Sequence, residues 1–440
     1  MRTPIRIAVL CLLAWTAACS DITTPTEPPA EVTEAPDANL ITDLRDALET
    51  ARNAALGKLL FEDTDLSLNK NQACASCHDA DWGFTGPDPL NAGQGSVFEG
   101  SEAGRFGNRR PPSAAYATLS PVFHFDTDEG IWFGGNFWNG RATGEILGNP
   151  AADQALAPFL NPAEQALPDM ACVVYRVRHA RYLPIYRRSF GWAIHRIDFP
   201  ENADELCKVE GTTLPLTAAD RAAAQEEYYN VARAIADFED SRIVNRFTSK
   251  FDYFRAGLAR LSRREQRGLE LFEGKAMCNA CHPSEGRHAL FTDFSFDNIG
   301  IPANPANPAL LAEGFVDEGL GETLRNRGEP AAVWQPEIGK QKVPTLRNMD
   351  KRPYGVAKTF MHNGALRTVE EVVHFYNTRD VLPACASPSD PGKGVTCWPA
   401  PEVTVNVNVD ELGDLGLTAD EEADLVAFLR TLSDGWRGRR

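Results

Sequence analysis

Apolar and polar positions along most of this chain repeat with a helical period. Leu40–Leu60 carries apolar residues at helix-like spacing, and Ala218–Phe238, rich in Ala and Glu, reads the same way. Ser262 followed by Glu265 is a capping-box pattern that opens a helix over Ser262–Phe272. Thr368–Tyr376 and Thr418–Leu432 complete the helical set; Thr418 is the N-cap of the last, with acidic residues in the turn that follows. Between these stretches lie Gly-, Pro- and Asn-rich segments, notably Gly83–Pro112 and Gly300–Pro330. Loops of that length usually wrap over a site. The pattern predicts a mainly α chain with long loops and little β.

The N-terminus has its own pattern. Arg2 and Arg6 precede an apolar run, Ile7–Trp15, too short to span a bilayer. Thr16-Ala17-Ala18-Cys19 resembles a bacterial lipoprotein cleavage box, with Cys19 as the lipidated first residue. The alternative is ordinary signal cleavage nearby and a soluble periplasmic product. Both imply export. Residues 1–19 are therefore read as a signal peptide, and 20–39, rich in Pro, Thr, Glu and Ala, as a flexible tether. No later stretch is apolar for long enough to form a transmembrane helix. The remaining ~400 residues suggest two domains. The formal charge of −17 gives no basis for nucleic-acid binding. It is spread along the chain, serves solubility, and is of the sign that steers a basic redox partner.

The cysteines change the picture most. Cys74-Ala75-Ser76-Cys77-His78 and Cys278-Asn279-Ala280-Cys281-His282 both read C-x-x-C-H, the attachment site of a c-type haem. Two thiols bond the porphyrin vinyl groups, and the histidine becomes the proximal iron ligand. A zinc ribbon would hold its two pairs much closer together, and a thioredoxin-like site would need a βαβ context. Two covalent haems c follow, one per domain, which divides the chain at 40–250 and 251–440 into two cytochrome c-like haem domains. Cys172 with Cys207 and Cys385 with Cys397 remain for two disulfides or four free thiols. Export favours disulfides, but spacing does not fix the pairing.

Further segments carry a resemblance. Leu60-Phe61, Cys74–Asp79, Phe137-Trp138-Asn139-Gly140-Arg141, Gln154-Ala155, Asn161-Pro162-Ala163-Glu164, Val343-Pro344-Thr345-Leu346-Arg347-Asn348 and Met361-His362-Asn363-Gly364 follow one another around the two motifs. In this order the chain resembles the bacterial di-haem cytochrome c peroxidases, and more closely their MauG-type branch, from about Leu40 to Leu432. The resemblance implies a peroxidatic N-terminal haem domain and an electron-transfer C-terminal one. It places Glu164 as acid/base catalyst on the distal side of the first haem, beside Gln154 and Pro158. It places Trp138 between the haems. A stretch near Gly144–Asp153 is about six residues longer than the family spacing.

Ligand chemistry separates the branches. No histidine occurs between His78 and His124, so the first haem is expected to be five-coordinate and open to peroxide; His124 reaching back is the alternative. For the second haem, the family interval counted from His362 lands on Tyr376, where peroxidases carry methionine and MauG-type members tyrosine. A phenolate favours ferric and higher oxidation states. The alternatives at that iron are His374, Met361 and Met349. Many members also bind calcium through an asparagine and backbone carbonyls. Here an arginine stands where that asparagine is expected, and Asn108 is the remaining candidate. Ala276-Met277 replaces the tryptophan that precedes the second motif in the MauG enzyme, so that protein's substrate does not carry over.

The resulting expectation is an exported di-haem oxidoreductase. It reacts with hydrogen peroxide at the first haem and stores or relays oxidising equivalents through a His282/Tyr376 haem, with an aromatic side chain of a partner protein as the sharper substrate. Peroxide detoxification with a small cytochrome or cupredoxin donor is the first alternative. A non-catalytic di-haem electron carrier is the second.

Overall fold

The computed structural model describes residues 38–86, 97–309 and 314–438. The expected signal peptide, Cys19 and most of the expected tether lie outside them. The fold is mainly α with little sheet. Its principal helices are α1 (Ala38–Phe61), α2 (Pro150–Leu160), α3 (Met170–His179), α4 (Leu183–Phe190), α5 (Ala218–Glu239), α6 (Arg263–Glu273), α7 (Val369–Thr378) and α8 (Ala419–Leu429). Two short antiparallel pairs accompany them. β1 (His124–Asp126) pairs with β2 (Ile131–Phe133), and β3 (Phe296–Asp297) with β4 (Gln341–Lys342).

Capping chemistry sets the helix starts. Thr217, Ser262, Thr368 and Thr418 each accept a backbone N–H from the first turn of α5, α6, α7 and α8, and the boxes on Ser262 and Thr418 are complete. The expected insertion resolves into two parts. Residues 144–149 form the turn. Pro150 then starts α2 behind its cap Asn149, so Asp153 is helical and accepts the N–H groups of Ile146 and Leu147.

The same helix contact occurs twice. A Cβ on Gly57 of α1 would lie 1.8 Å from the Ala234 carbonyl oxygen of α5 and 2.8 Å from Phe238 Cβ. A Cβ on Gly268 of α6 would lie 2.0 Å from the Asp424 carbonyl oxygen of α8 and 2.7 Å from Phe428 Cβ. Each C-x-x-C-H motif follows the glycine-bearing helix of such a pair. One large cluster of buried apolar residues runs from Leu56 to Val244, and another from Phe251 to Leu432.

Polar contacts join distant segments within Ala47–Arg440, which is one compact unit. Arg347, 1% exposed, makes a bidentate pair with Asp252 at 2.7 and 3.0 Å under the rings of Tyr116 and Phe247. Tyr116 donates to Asp434 at 2.6 Å, so the C-terminal segment returns onto the N-terminal half. Cys172–Cys207 and Cys385–Cys397 are disulfides, and the four motif cysteines are the free ones among the described residues.

Candidate active site

Each motif folds into one tight turn that aims its histidine. Cys74–Cys77 is a single helical turn, and Cys278–Ala280 a 3-10 turn. The His78 and His282 backbone N–H groups bond the carbonyls of Cys74 and Cys278, both at 2.9 Å. His78 Nδ1 lies 2.8 Å from the Phe84 carbonyl oxygen, and His282 Nδ1 2.7 Å from that of Phe291. Both phenylalanines have positive φ, 58° and 54°. That conformation costs energy for a bulky residue, and here it accompanies the carbonyl that meets the ring. With Nδ1–H donating, Nε2 is left as the free lone pair for a metal. Burial pushes both imidazoles below their ordinary range, which favours the neutral, ligating form.

Both histidines, Cys278 and Cys281 border one open cavity. Paired free thiols and a preset Nε2 at each motif fit two covalently attached porphyrins. Cys74, Cys77 and His78 would hold the first, and Cys278, Cys281 and His282 the second.

On the first side, Gln154 borders the cavity from α2, whereas Pro158 and Glu164 do not line it. Pro158 accepts the N–H of Gln165 at 3.1 Å and helps close the turn that carries Glu164. Glu164 accepts from Asn161 Nδ2 at 2.6 Å. Burial raises its carboxyl above the usual range, against the opposing pull of Arg141 and Asn161, and its charge bears on both sulfurs of the motif. Arg141 stacks on Phe137 at 3.6 Å. His124 lies in β1, exposed, with Nδ1 on the Val122 carbonyl, and does not border the cavity. It is not brought to the first site.

Trp138, 8% exposed, borders the same cavity. Its Nε1 donates to the Arg110 carbonyl at 2.7 Å, and its ring lies edge-on to His362 at 6.2 Å. The Arg110 N–H in turn donates to the His362 carbonyl at 2.6 Å. His362 Nε2 is 3.9 Å from Asp317, whose carboxylate is bidentate to Arg109 at 2.6 and 2.7 Å.

Tyr376, from α7, borders the cavity with His282, Met349 and Met361. Its hydroxyl has no hydrogen-bond partner among the described residues, and burial pushes its phenol upward. His374 turns away onto Glu422 at 3.0 Å. Of the sequence alternatives, the two methionines therefore share the cavity with Tyr376 and the histidine does not.

Around Asn108 the amide oxygens are engaged within the chain, and nothing there marks calcium. Its carbonyl accepts from Asn307 Nδ2, and the Oδ1 atoms of Asn304, Asn307 and Asn363 each accept a backbone N–H. Arg109 already supplies positive charge to Asp317 there. Calcium takes six to eight oxygen ligands, waters included. Among the described residues, one group of three metal-ligating side chains occurs, Cys385, Asp390 and Cys397, and its two sulfurs are bonded to each other.

Two charged residues at the cavity escaped the sequence reading, Lys342 half-buried and Glu239 buried. Lys342 donates to Ser120 Oγ, Asn136 Oδ1 and the Gly135 carbonyl, and burial brings it down to about 7. Glu239 ends α5 at 3% exposure. Neither lies in a motif. A glutamate in an Ala/Glu helix reads as a solvated face, and only packing reveals the exception.

Residues 51–260 match the family model described as di-haem cytochrome c peroxidase. Methylamine utilization protein MauG of Paracoccus denitrificans (strain Pd 1222) is 33% identical over 390 residues, 87% of this chain and 88% of that one. Cytochrome-c peroxidase IdrP1 of Denitromonas iodatirespirans is 28% identical over 447 residues, 98% and 93% of the two chains. Among solved structures, the diheme peroxidase BthA from Burkholderia thailandensis E264 matches with a TM-score of 0.68 at 29% identity, covering 87% of this chain and 86% of that one. A variant of BthA gives 0.70 at 28%, covering 88% and 86%.

Proposed function

The chain belongs to the di-haem cytochrome c peroxidase family, and from that premise we propose that it reduces hydrogen peroxide at its first haem site while its second, His282/Tyr376 site stores or relays the oxidising equivalents. When bound, the two haems c supply the redox chemistry that cleaves the O–O bond. Everything else falls to the chain.

His78, held through Nδ1 by the Phe84 carbonyl, presents Nε2 from one side. The face opposite is read as carrying Gln154, which borders the cavity, and the sequence has no histidine between His78 and His124 to close it. Peroxide can enter there. Glu164 takes the proton from the near oxygen and returns one to the far oxygen. A carboxyl raised by burial is suited to both halves of that transfer. Gln154 orients the peroxide, and Pro158 holds the turn that fixes Glu164. Trp138 lies on the route between the sites. Tyr376 would ligate the second iron as a phenolate, which lowers the potential and favours oxidised states.

One observation carries this reading: the two halves position their histidines alike, yet an unpartnered phenol borders the cavity with His282, while Gln154 borders it on the first side. The sharper substrate is an aromatic side chain of a partner protein. A small cytochrome or cupredoxin as electron donor is the second reading. It is favoured beside the second motif, where Ala276 is buried and Met277 is 45% exposed, so no aromatic group is presented there. The N-terminal pattern and the two disulfides support export to the periplasm, with a lipid anchor at Cys19.

The test is Glu164→Gln. It should lower kcat/KM for peroxide by about 10²–10⁴-fold, the usual worth of a positioned acid/base, with two haems still bound per chain. Unaltered turnover in that variant would remove Glu164 from the reaction.

A further inference from the structure

Glu239 is a buried carboxyl group with no role in the proposal above. It is 3% exposed, borders the cavity together with His78 and Gln154, and has no hydrogen-bond or ion-pair partner among the described residues. A buried, unpaired carboxylate is expensive, so such a group persists only where it does something or finds a neutral form.

The internal repeat sharpens the point. Ala234 and Phe238 meet Gly57 as Asp424 and Phe428 meet Gly268. The residue after Phe238 therefore corresponds to the residue after Phe428, which is Leu429, 6% exposed in the second core. One helix position thus carries a leucine at the second site and a carboxyl at the first. Packing alone is satisfied by the leucine.

No charged side chain is bonded to Glu239 among the described residues. In the motif loop Cys74 feels its charge, and His78 is committed to the Phe84 carbonyl. From α1 the packed residues are apolar, Leu56, Leu60 and Phe61, while Lys58 and Glu62 pair with each other on the exposed side. From α2 comes Gln154, with Asp153 turned to the 146–147 backbone. Segment 110–118 brings Arg110 to the same cavity, Tyr116 bonded to Asp434, and Thr118 bonded to Asp240, the next residue of the chain. Glu164 also bears on the Cys74 sulfur. Burial pushes the Glu239 carboxyl up to about 8, within reach of neutral pH.

We propose that Glu239 is the redox-linked proton site of the first haem. One electron from a one-electron donor converts ferric to ferrous iron at that site, which removes one positive charge. One solvent proton then closes on the Glu239 carboxylate and restores the balance. Both leave again on oxidation. The second site, with Leu429 at this position, lacks the device. The inference rests on haem attachment at the first motif and not on peroxide turnover.

The experiment is a potentiometric titration of the intact di-haem protein from pH 6 to 10, without peroxide, with intact mass confirming two attached haems. In the wild type the first site's potential should fall with rising pH by up to about 59 mV per unit, the one-electron equivalent of a tenfold change in proton activity. The slope should centre near neutral-to-alkaline pH and flatten in Glu239→Gln. Glu239→Leu, which copies the second half, should fold and flatten it too. Glu164→Gln is the comparison, because Glu164 is a second buried, raised carboxyl at this site: a slope lost in that variant but kept in Glu239→Gln would assign the proton to Glu164 and overturn the proposal. A redox-difference infrared spectrum should show a protonated carboxyl band in the wild type that both Glu239 variants lose. A slope that survives both substitutions, or no slope in the wild type, overturns the proposal.

Discussion

Phe84 and Phe291 do the same work for two histidines, each turning a carbonyl onto an imidazole Nδ1 from a positive-φ conformation. The motif cysteines and histidines were legible in the sequence because covalent attachment demands fixed spacing. Tyr376 was legible only through an interval shared with relatives, and Met349 and Met361 share its cavity. Glu239, Lys342 and Arg347 were not legible, because a buried charge and a solvated one look alike in a string of letters. Arg347 gives a prediction at this scale. Breaking a buried pair leaves an uncompensated charge and costs about 3–5 kcal/mol. Arg347→Met should lower stability by that order in denaturant melts. The pair also has a pH signature. Burial alone would raise Asp252, but Arg347 and Ser249 outweigh it and hold the carboxyl below its ordinary range. Its contribution is then fully present above the unfolded value of about 4 and is lost as pH falls through the folded value. The stability gap between wild type and Asp252→Asn should therefore narrow in acid, as thermal melts across that range would reveal; a gap independent of pH would contradict it.

At the scale of elements, the five helices anticipated from apolar period and caps are present with ends shifted by a few residues. The helices α2, α3 and α4 were not anticipated. Pro150 in α2 and Pro184 in α4 sit in the first turn, where proline starts a helix, and Pro158 lies inside α2 two residues before its end. The Gly300–Pro330 stretch, expected as a loop, contains a short helix at Leu320–Asn326. The twofold helix contact was hidden because only a short string repeats on the glycine-bearing helices, Gly57-Lys58-Leu59-Leu60-Phe61-Glu62 and Gly268-Leu269-Glu270-Leu271-Phe272-Glu273, and little else around it does. It sets two opposed effects against each other. Alanine in place of Gly57 or Gly268 gains about 1 kcal/mol of helix propensity. Its Cβ would sit 2.0 Å or less from a carbonyl oxygen, which forces the helices apart and costs about 1–3 kcal/mol or more. The clash should win. Gly57→Ala and Gly268→Ala should each destabilise the holoprotein in urea, and a neutral or stabilised variant would mean the helix pairs are looser than described.

Across the whole molecule, one cavity reaches both motifs, and Trp138, Lys342 and the 343–347 segment border it with them. On the proposed reading, both haems would occupy this space with Trp138 beside them. On the same proposal, unequal partners opposite His78 and His282 would give the pair its direction. The most direct measurement is the EPR spectrum of the ferric holoprotein before and after one equivalent of peroxide, repeated on Tyr376→Met. The account predicts one high-spin and one low-spin signal in the wild type, both changed by peroxide, with the low-spin signal and its potential altered by the substitution. Two low-spin signals indifferent to peroxide, or a low-spin signal that Tyr376→Met leaves untouched, would contradict it.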